Sequence, residues 1–187
     1  MAENHFNIYT GGGIGLTRFE GGEITRAVLV DPLGREARLY DPGVGSGLRV
    51  ELEWEATGPL AGLMSIFGLG DWTLMVSAES RGAGPEPTFA PVTSPTTNGI
   101  IQGNRVRWTA QVPVTAAQLA SLPQHHPNGA TGPRRQGVYQ FTVTVFWNAD
   151  IFRTRLSDPN IPDLIAFADL NLVMVESVTP PETVPAP

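Results

Sequence analysis

Glu51, Glu53 and Glu55 alternate along one run of the chain, so on a β-strand their three carboxylates share a face. Aligned carboxylates can hold a hard cation or exchange protons with a substrate. The same spacing also arises on a solvated strand face, because Leu48, Val50, Leu52 and Trp54 fill the opposite phase and turn the glutamates outward. Arg105 and Arg107 share a face of their own strand and are expected to pair with the glutamates across the sheet. The solvated strand face, with this pairing, is the expectation.

Three further groups of residues have chemistry-bearing types. His125 and His126 are adjacent in Pro123–Gly129, a turn-rich loop, and adjacent imidazoles can ligate a metal. No carboxylate or further His lies near them in sequence, and His5 is far away near the start, so a solvated loop is expected. The run Gly11-Gly12-Gly13-Ile14-Gly15 invites comparison with a phosphate cradle. It lacks the third correctly spaced glycine and is followed by a strand-like segment where the dinucleotide fingerprint needs a helix. Asp158-Pro159-Asn160-Ile161-Pro162-Asp163 gathers oxygen ligands of the kind calcium takes, but two prolines and only two carboxylates read as a rigid turn. No zinc-protease helix motif, nucleophile elbow or N-glycosylation acceptor occurs. No cofactor, no metal site and no enzymatic activity are therefore expected.

Composition narrows the chemistry further. The chain has no cysteine, which removes disulfides, thiol catalysis and thiolate metal sites. All 12 basic residues are arginine, which removes Schiff-base chemistry and the phosphate-loop lysine, and suggests a GC-rich, bacterial genome. A net charge of −6, with arginines scattered, argues against nucleic acid as a partner. Residues 1 to 20 lack a basic start and an apolar stretch of signal length, and no span could cross a membrane, so a cytoplasmic protein is expected.

The elements that would position these residues are strands. Period-2 alternation runs through Leu48–Glu55, through Asp71–Glu79 (Trp72, Leu74, Val76 and Ala78), and through Arg105–Val112 (Val106, Trp108, Ala110 and Val112). It continues in Gly137–Asn148, with Tyr139, Phe141, Val143, Val145 and Trp147 in one phase. All four tryptophans fall in an apolar phase and are expected in a core. Leu16–Glu20 and Glu23–Val30, joined by Gly21-Gly22, read as a hairpin. Asp31-Pro32-Leu33-Gly34 fits a type I turn, a short strand is expected near Glu36–Tyr40, and a last strand over Asp169–Ser177. Asp158–Ala168 is ambiguous between helix and strand. Thr115-Ala116-Ala117-Gln118 has capping-box spacing and predicts one short helix. Glycine (21) and proline (17) form about a fifth of the 187 residues, as many turns between short strands require. The expected fold is all-β: a single antiparallel β-sandwich of immunoglobulin-like or jelly-roll kind with seven to nine strands. It is expected over residues 16–177, with a flexible lead-in over 1–15 and a proline-rich tail over 178–187.

One connection does not look like a loop. Pro59–Gly70 links two strands of unbroken alternation yet is almost wholly apolar, with Leu60, Leu63, Met64, Ile66, Phe67 and Leu69. It either plugs an end of its own sandwich as a helical turn, or presents those six residues to another subunit or a protein partner. Membrane insertion is less favoured, because no basic residues flank it. The leading expectation is a non-catalytic interaction or structural module of a bacterial assembly, contacting itself or a partner through 59–70 and the tail. A small-ligand or carbohydrate-binding sandwich is the alternative. With every tryptophan inward, Tyr9, Tyr40 and Phe89 are its only aromatic platforms.

Overall fold

Alternation of apolar and polar side chains commits the central strands to a shared interior. The computed structural model describes residues 7–9, 18–41, 45–81, 87–122, 136–148 and 163–176. Its strands are β1 (Asn7–Tyr9), β2 (Gly21–Val30), β3 (Leu39–Tyr40), β4 (Leu48–Thr57), β5 (Asp71–Ser80), β6 (Val92–Pro95), β7 (Ile100–Gln102), β8 (Arg105–Val114), β9 (Gln136–Trp147) and β10 (Asp163–Glu176). Two helices join them, α1 (Pro59–Phe67) and α2 (Ala116–Ala120), with a 3-10 turn at Thr96–Asn98.

The strands form two sheets, an all-β sandwich as expected. One sheet is four-stranded, in the order β2-β4-β8-β7. The other is six-stranded, in the order β1-β10-β9-β5-β6, with β3 also on β10. All pairings between named strands are antiparallel except β3 with β10, which is parallel. The chain crosses repeatedly between layers: α1 carries it from β4 to β5, α2 from β8 to β9, and the 3-10 turn from edge strand β6 to edge strand β7.

The tryptophans sit where the alternation puts them. Trp54 and Trp108 are register partners on β4 and β8, with rings 6.3 Å apart and nearly parallel. Trp72 comes from the other sheet and meets both edge-on, at 5.7 Å and 5.1 Å. Such tilted contacts place a ring edge against a π face, which adds to the burial of apolar area. Trp147 is also buried and packs beside Phe19. Its indole N–H donates to the Leu69 carbonyl at 2.9 Å, while that of Trp108 donates to Thr96 at 2.8 Å.

Four local readings change. Gly21 and Gly22 do not turn the chain: they lie inside β2, paired with Thr57 and Ala56 of β4. The ladder to β4 prevails over the turn preference of two glycines, and Glu20 N–H already bonds the Thr57 carbonyl before them. The expected lead-in contributes β1, which pairs with β10 through Asn7 and Ile165. The ambiguous stretch before Asp169 is strand from Asp163 onward. A second, longer helix occupies 59–67. The type I turn is present, with Gly34 N–H bonded to the Asp31 carbonyl at 2.9 Å.

Two register shifts explain why β2 and β10 look irregular in sequence. On β10 the pairing moves between Asp169 and Leu172, so Leu170 and Asn171 together face one residue of β9. The inward phase passes from Leu164, Ala166, Ala168 and Leu170 to Val173 and Val175. On β2 a similar shift lies between Ile24 and Arg26.

Candidate functional site

The segment singled out by its composition is a helix because Pro59 fixes the backbone at its first turn and Gly68 ends it. Gly68 adopts the left-handed conformation, φ 63°, and its N–H closes onto the Met64 carbonyl at 3.0 Å. No acidic residue lies in the first turn and no basic residue in the last. α1 therefore has no side chain that complements its dipole, and packing must hold it.

That packing is one-sided. Leu60, Ala61, Met64 and Ser65 are buried against the sandwich, while Ile66 and Phe67 are 62% and 67% exposed. Gly62 and Leu63 are half-buried, as is Leu69, which packs on the core just past the helix. Of the six residues expected to meet a partner, Leu60 and Met64 are committed to the chain's own core. Plug and presented surface are two faces of one helix: buried positions recur at helical spacing, and the rest point away.

The helix is pinned beside the four-stranded sheet's free edge. Ser65 Oγ donates to the Gly99 carbonyl at 2.9 Å, and Thr96 Oγ1 donates to the Gly70 carbonyl at 2.8 Å. Gly99 precedes edge strand β7, where Ile100 and Ile101 are 60% and 47% exposed. Two consecutive strand residues cannot both face a core, so the Ile100-Ile101 pair before the Gly103-Asn104 turn is a sequence signal for apolar exposure. It was not among the expected contact residues. Beside α1 the surface thus presents Leu63, Ile66 and Phe67 with Ile101, the register partner of inward Val106, whereas Ile100, opposite Arg107, lies on the outer face of the sheet.

The charged candidates lie elsewhere, on the outer face of the four-stranded sheet. Arg105 meets Glu55 at 2.6 Å, and Arg107 lies 3.7 Å from Glu53 and 3.8 Å from Glu55. Arg26 and Arg49 meet Glu51 at 2.9 Å and 3.2 Å, and Thr25 Oγ1 bonds Glu53 at 2.9 Å. The expected pairing across the sheet is present. Glu55 departs from the solvated-face reading, because it is 3% exposed beneath its arginines. Among the described residues no group of three or more His, Cys, Asp or Glu is placed to hold a metal ion.

Of the aromatic platforms, Tyr40 and Phe89 are buried, and the Tyr9 side chain lies outside the described residues. Phe67 carries the one largely exposed aromatic ring among the described side chains. His5, His125, His126, the glycines of 11–15, residues 158–162 and the tail 178–187 lie outside the described residues. Among those that are described, no helix is long and apolar enough to cross a membrane.

Fold and surface together define an all-β two-sheet sandwich with one uncharged, half-exposed helix at its margin. Compared with family models, curated proteins and solved structures, the chain matches none.

Proposed function

We propose that this chain is a non-catalytic interaction or structural module of a bacterial assembly, whose contact surface is the outer side of α1 with the adjoining edge strand β7. The observation that carries the reading is the exposure of Ile66 and Phe67 on a helix with no charged residue, beside edge strand β7 with its exposed Ile101. Large apolar side chains grouped on a surface cost hydration free energy unless a partner covers them. A phenylalanine flanked by aliphatic side chains is the kind of anchor around which interfaces concentrate their energy. The carbohydrate alternative has less support, since four tryptophans, Tyr40 and Phe89 are committed to the interior.

The test is mass by light scattering across a wide concentration range, for the native chain and for Phe67→Asp. Self-association predicts a mass rising above 20.0 kDa that the substitution abolishes without unfolding the sandwich. A native chain that stays monomeric at high concentration overturns self-association through this surface. The hetero-partner form is overturned if native and Phe67→Asp baits retain the same proteins from the native host.

A further inference from the structure

The exposed side of α1 has relief as well as apolar character. A cavity of about 320 Å³ opens beside its first turns, toward the turn between β7 and β8, lined by Glu20, Gly58, Pro59, Gly62, Gly103 and Val106. Three of these are glycines, so the hollow exists because side chains are missing from its walls. Gly62 is the wall on the helix itself, where a Cβ would meet no described atom within 4 Å. One turn further along the same helix face, Ile66 stands 62% exposed. A hollow and a projecting aliphatic side chain thus lie about 6 Å apart along one axis. Leu63 and Phe67 form a second row beside them, again one turn apart.

Charge narrows what can cover this side. No residue of α1 is charged. Two charged residues border its first turn: Arg18, whose carbonyl accepts the Leu60 N–H at 3.2 Å, and Glu20, which lies against Gly58. Their charges offset each other. What remains is the dipole of the helix, positive at the Pro59 end and negative at the Phe67 end, with no side chain of α1 to complement either. A helix running the other way complements both ends at once. A second copy of α1 is such a helix, and it brings no charged side chain to the contact.

We infer that two copies of this chain pair through α1, antiparallel about a twofold axis level with Met64, so that Ile66 of each helix fills the hollow at Gly62 of the other. Phe67 of each helix then lies along Leu63 and Pro59 of the other, and each positive helix end meets a negative one. The contact is isologous, every residue pair occurring twice, and it closes after two copies. It also avoids the repulsion between two chains of net charge −6, because it is made where neither side-chain sign is in excess. The inference rests on the reading of α1 as a contact surface and adds what covers it.

Light scattering of the full chain should plateau at twice 20.0 kDa as concentration rises. Gly62→Leu is the discriminating variant, because it adds apolar surface and fills the hollow at once. It should weaken the pair at least tenfold, whereas an unspecific apolar patch would become stickier. Its urea midpoint, at a dilution where the native chain is monomeric, should not fall, since leucine favours a helix over glycine. The chain has no cysteine of its own, so introduced ones give an independent readout. In an oxidised mixture of Gly62→Cys and Ile66→Cys chains, disulfides should join unlike chains well beyond the half expected of random pairing. The inference is overturned if the mass passes two copies, if Gly62→Leu pairs as tightly as the native chain, or if the cysteine chains link at random. A native chain that stays monomeric overturns it too, and the bait comparison with Phe67→Asp then still decides the broader reading. A pair that Phe67→Asp abolishes and Gly62→Leu leaves intact keeps the surface and overturns this geometry.

Discussion

The side chain of Asn171 completes the open backbone of Leu29. Its Oδ1 accepts from the Leu29 N–H at 3.1 Å and its Nδ2 donates to the Leu29 carbonyl at 3.4 Å and to the Ala37 carbonyl. Leu29 lies on β2, the edge of the four-stranded sheet, and Asn171 on β10 of the other sheet. The register shift on β10 lets this side chain span the seam, and with the Ala37 N–H bonded to the Leu29 carbonyl at 2.8 Å it covers part of the edge of β2. Asn171→Ala should therefore cost about 1–3 kcal/mol in urea unfolding, through the Leu29 N–H left without its acceptor, while the Leu29 carbonyl keeps the Ala37 N–H at 2.8 Å. An unchanged midpoint would show that the seam is held by apolar packing alone.

Two glycines near α1 should respond in opposite senses to the same substitution. A Cβ on Gly99 would come within 2.5 Å of Val106 and 2.6 Å of the Trp108 indole, both buried. Gly99→Ala is expected to cost about 1–3 kcal/mol by overpacking. On Gly62, in mid-helix, a Cβ meets no described atom within 4 Å. There alanine should add about 0.5–1 kcal/mol by improving helix propensity. Denaturant midpoints for the pair check the sign of each.

The buried carboxylate of Glu55 gives a coupled prediction. Arg105→Ala removes the 2.6 Å contact and leaves the carboxylate with Arg107 at 3.8 Å. The loss should be about 1–3 kcal/mol, because a buried charge has lost its main partner. Adding Glu55→Leu should restore most of it, since no charge then remains to be satisfied. A double-mutant cycle in which the two losses simply add would refute the coupling.

Asp31 sets a pH dependence. The Arg35 backbone N–H, followed by the Arg35 guanidinium and the Leu33 N–H, holds its carboxyl below the ordinary value of 3.8 against a smaller opposing effect of desolvation. A depressed folded-state pKa contributes stability that is present above the ordinary value and lost as pH falls through the lower one. Carboxyl NMR should find the Asp31 midpoint below 3.8, and Asp31→Asn should lose less stability than the native chain on acidification in that window. A midpoint at or above 3.8 would remove the turn from any account of acid sensitivity.

The core was legible wherever one period held without interruption. Leu48–Trp54, Trp72–Ala78 and Tyr139–Trp147 read directly as inward faces, and the capping box at Thr115 read directly as a helix start, with Gln118 closing it from both sides. Legibility failed where tertiary pairing decided. Gly21-Gly22 is as good a turn as any until β4 offers it a ladder. The phase change on β10 depends on an extra residue that periodicity cannot place, although a lone Asn171 between Leu170 and Leu172 hints at it. For the candidate site, the apolar character of 59–70 was plain, but the division between Leu60 and Met64 inside and Ile66 and Phe67 outside needed helical rather than loop geometry. Glu55 and Tyr40 were misjudged because burial of a polar group depends on what covers it from other strands.

The position of β10 has a consequence for how the chain reaches its native state. β10 alone supplies the ladder partners of β1, β3 and one side of β9, so the six-stranded sheet cannot close until residues 163–176 have been synthesised. Residues 7–9 and 39–40 must wait for a strand more than a hundred positions downstream. Assembly dominated by such distant pairings runs in about milliseconds to seconds, far slower than a helical bundle of similar size. During that interval Leu39 and the edge of β9 have no strand beside them, and a nascent chain halted before β10 should be prone to aggregation.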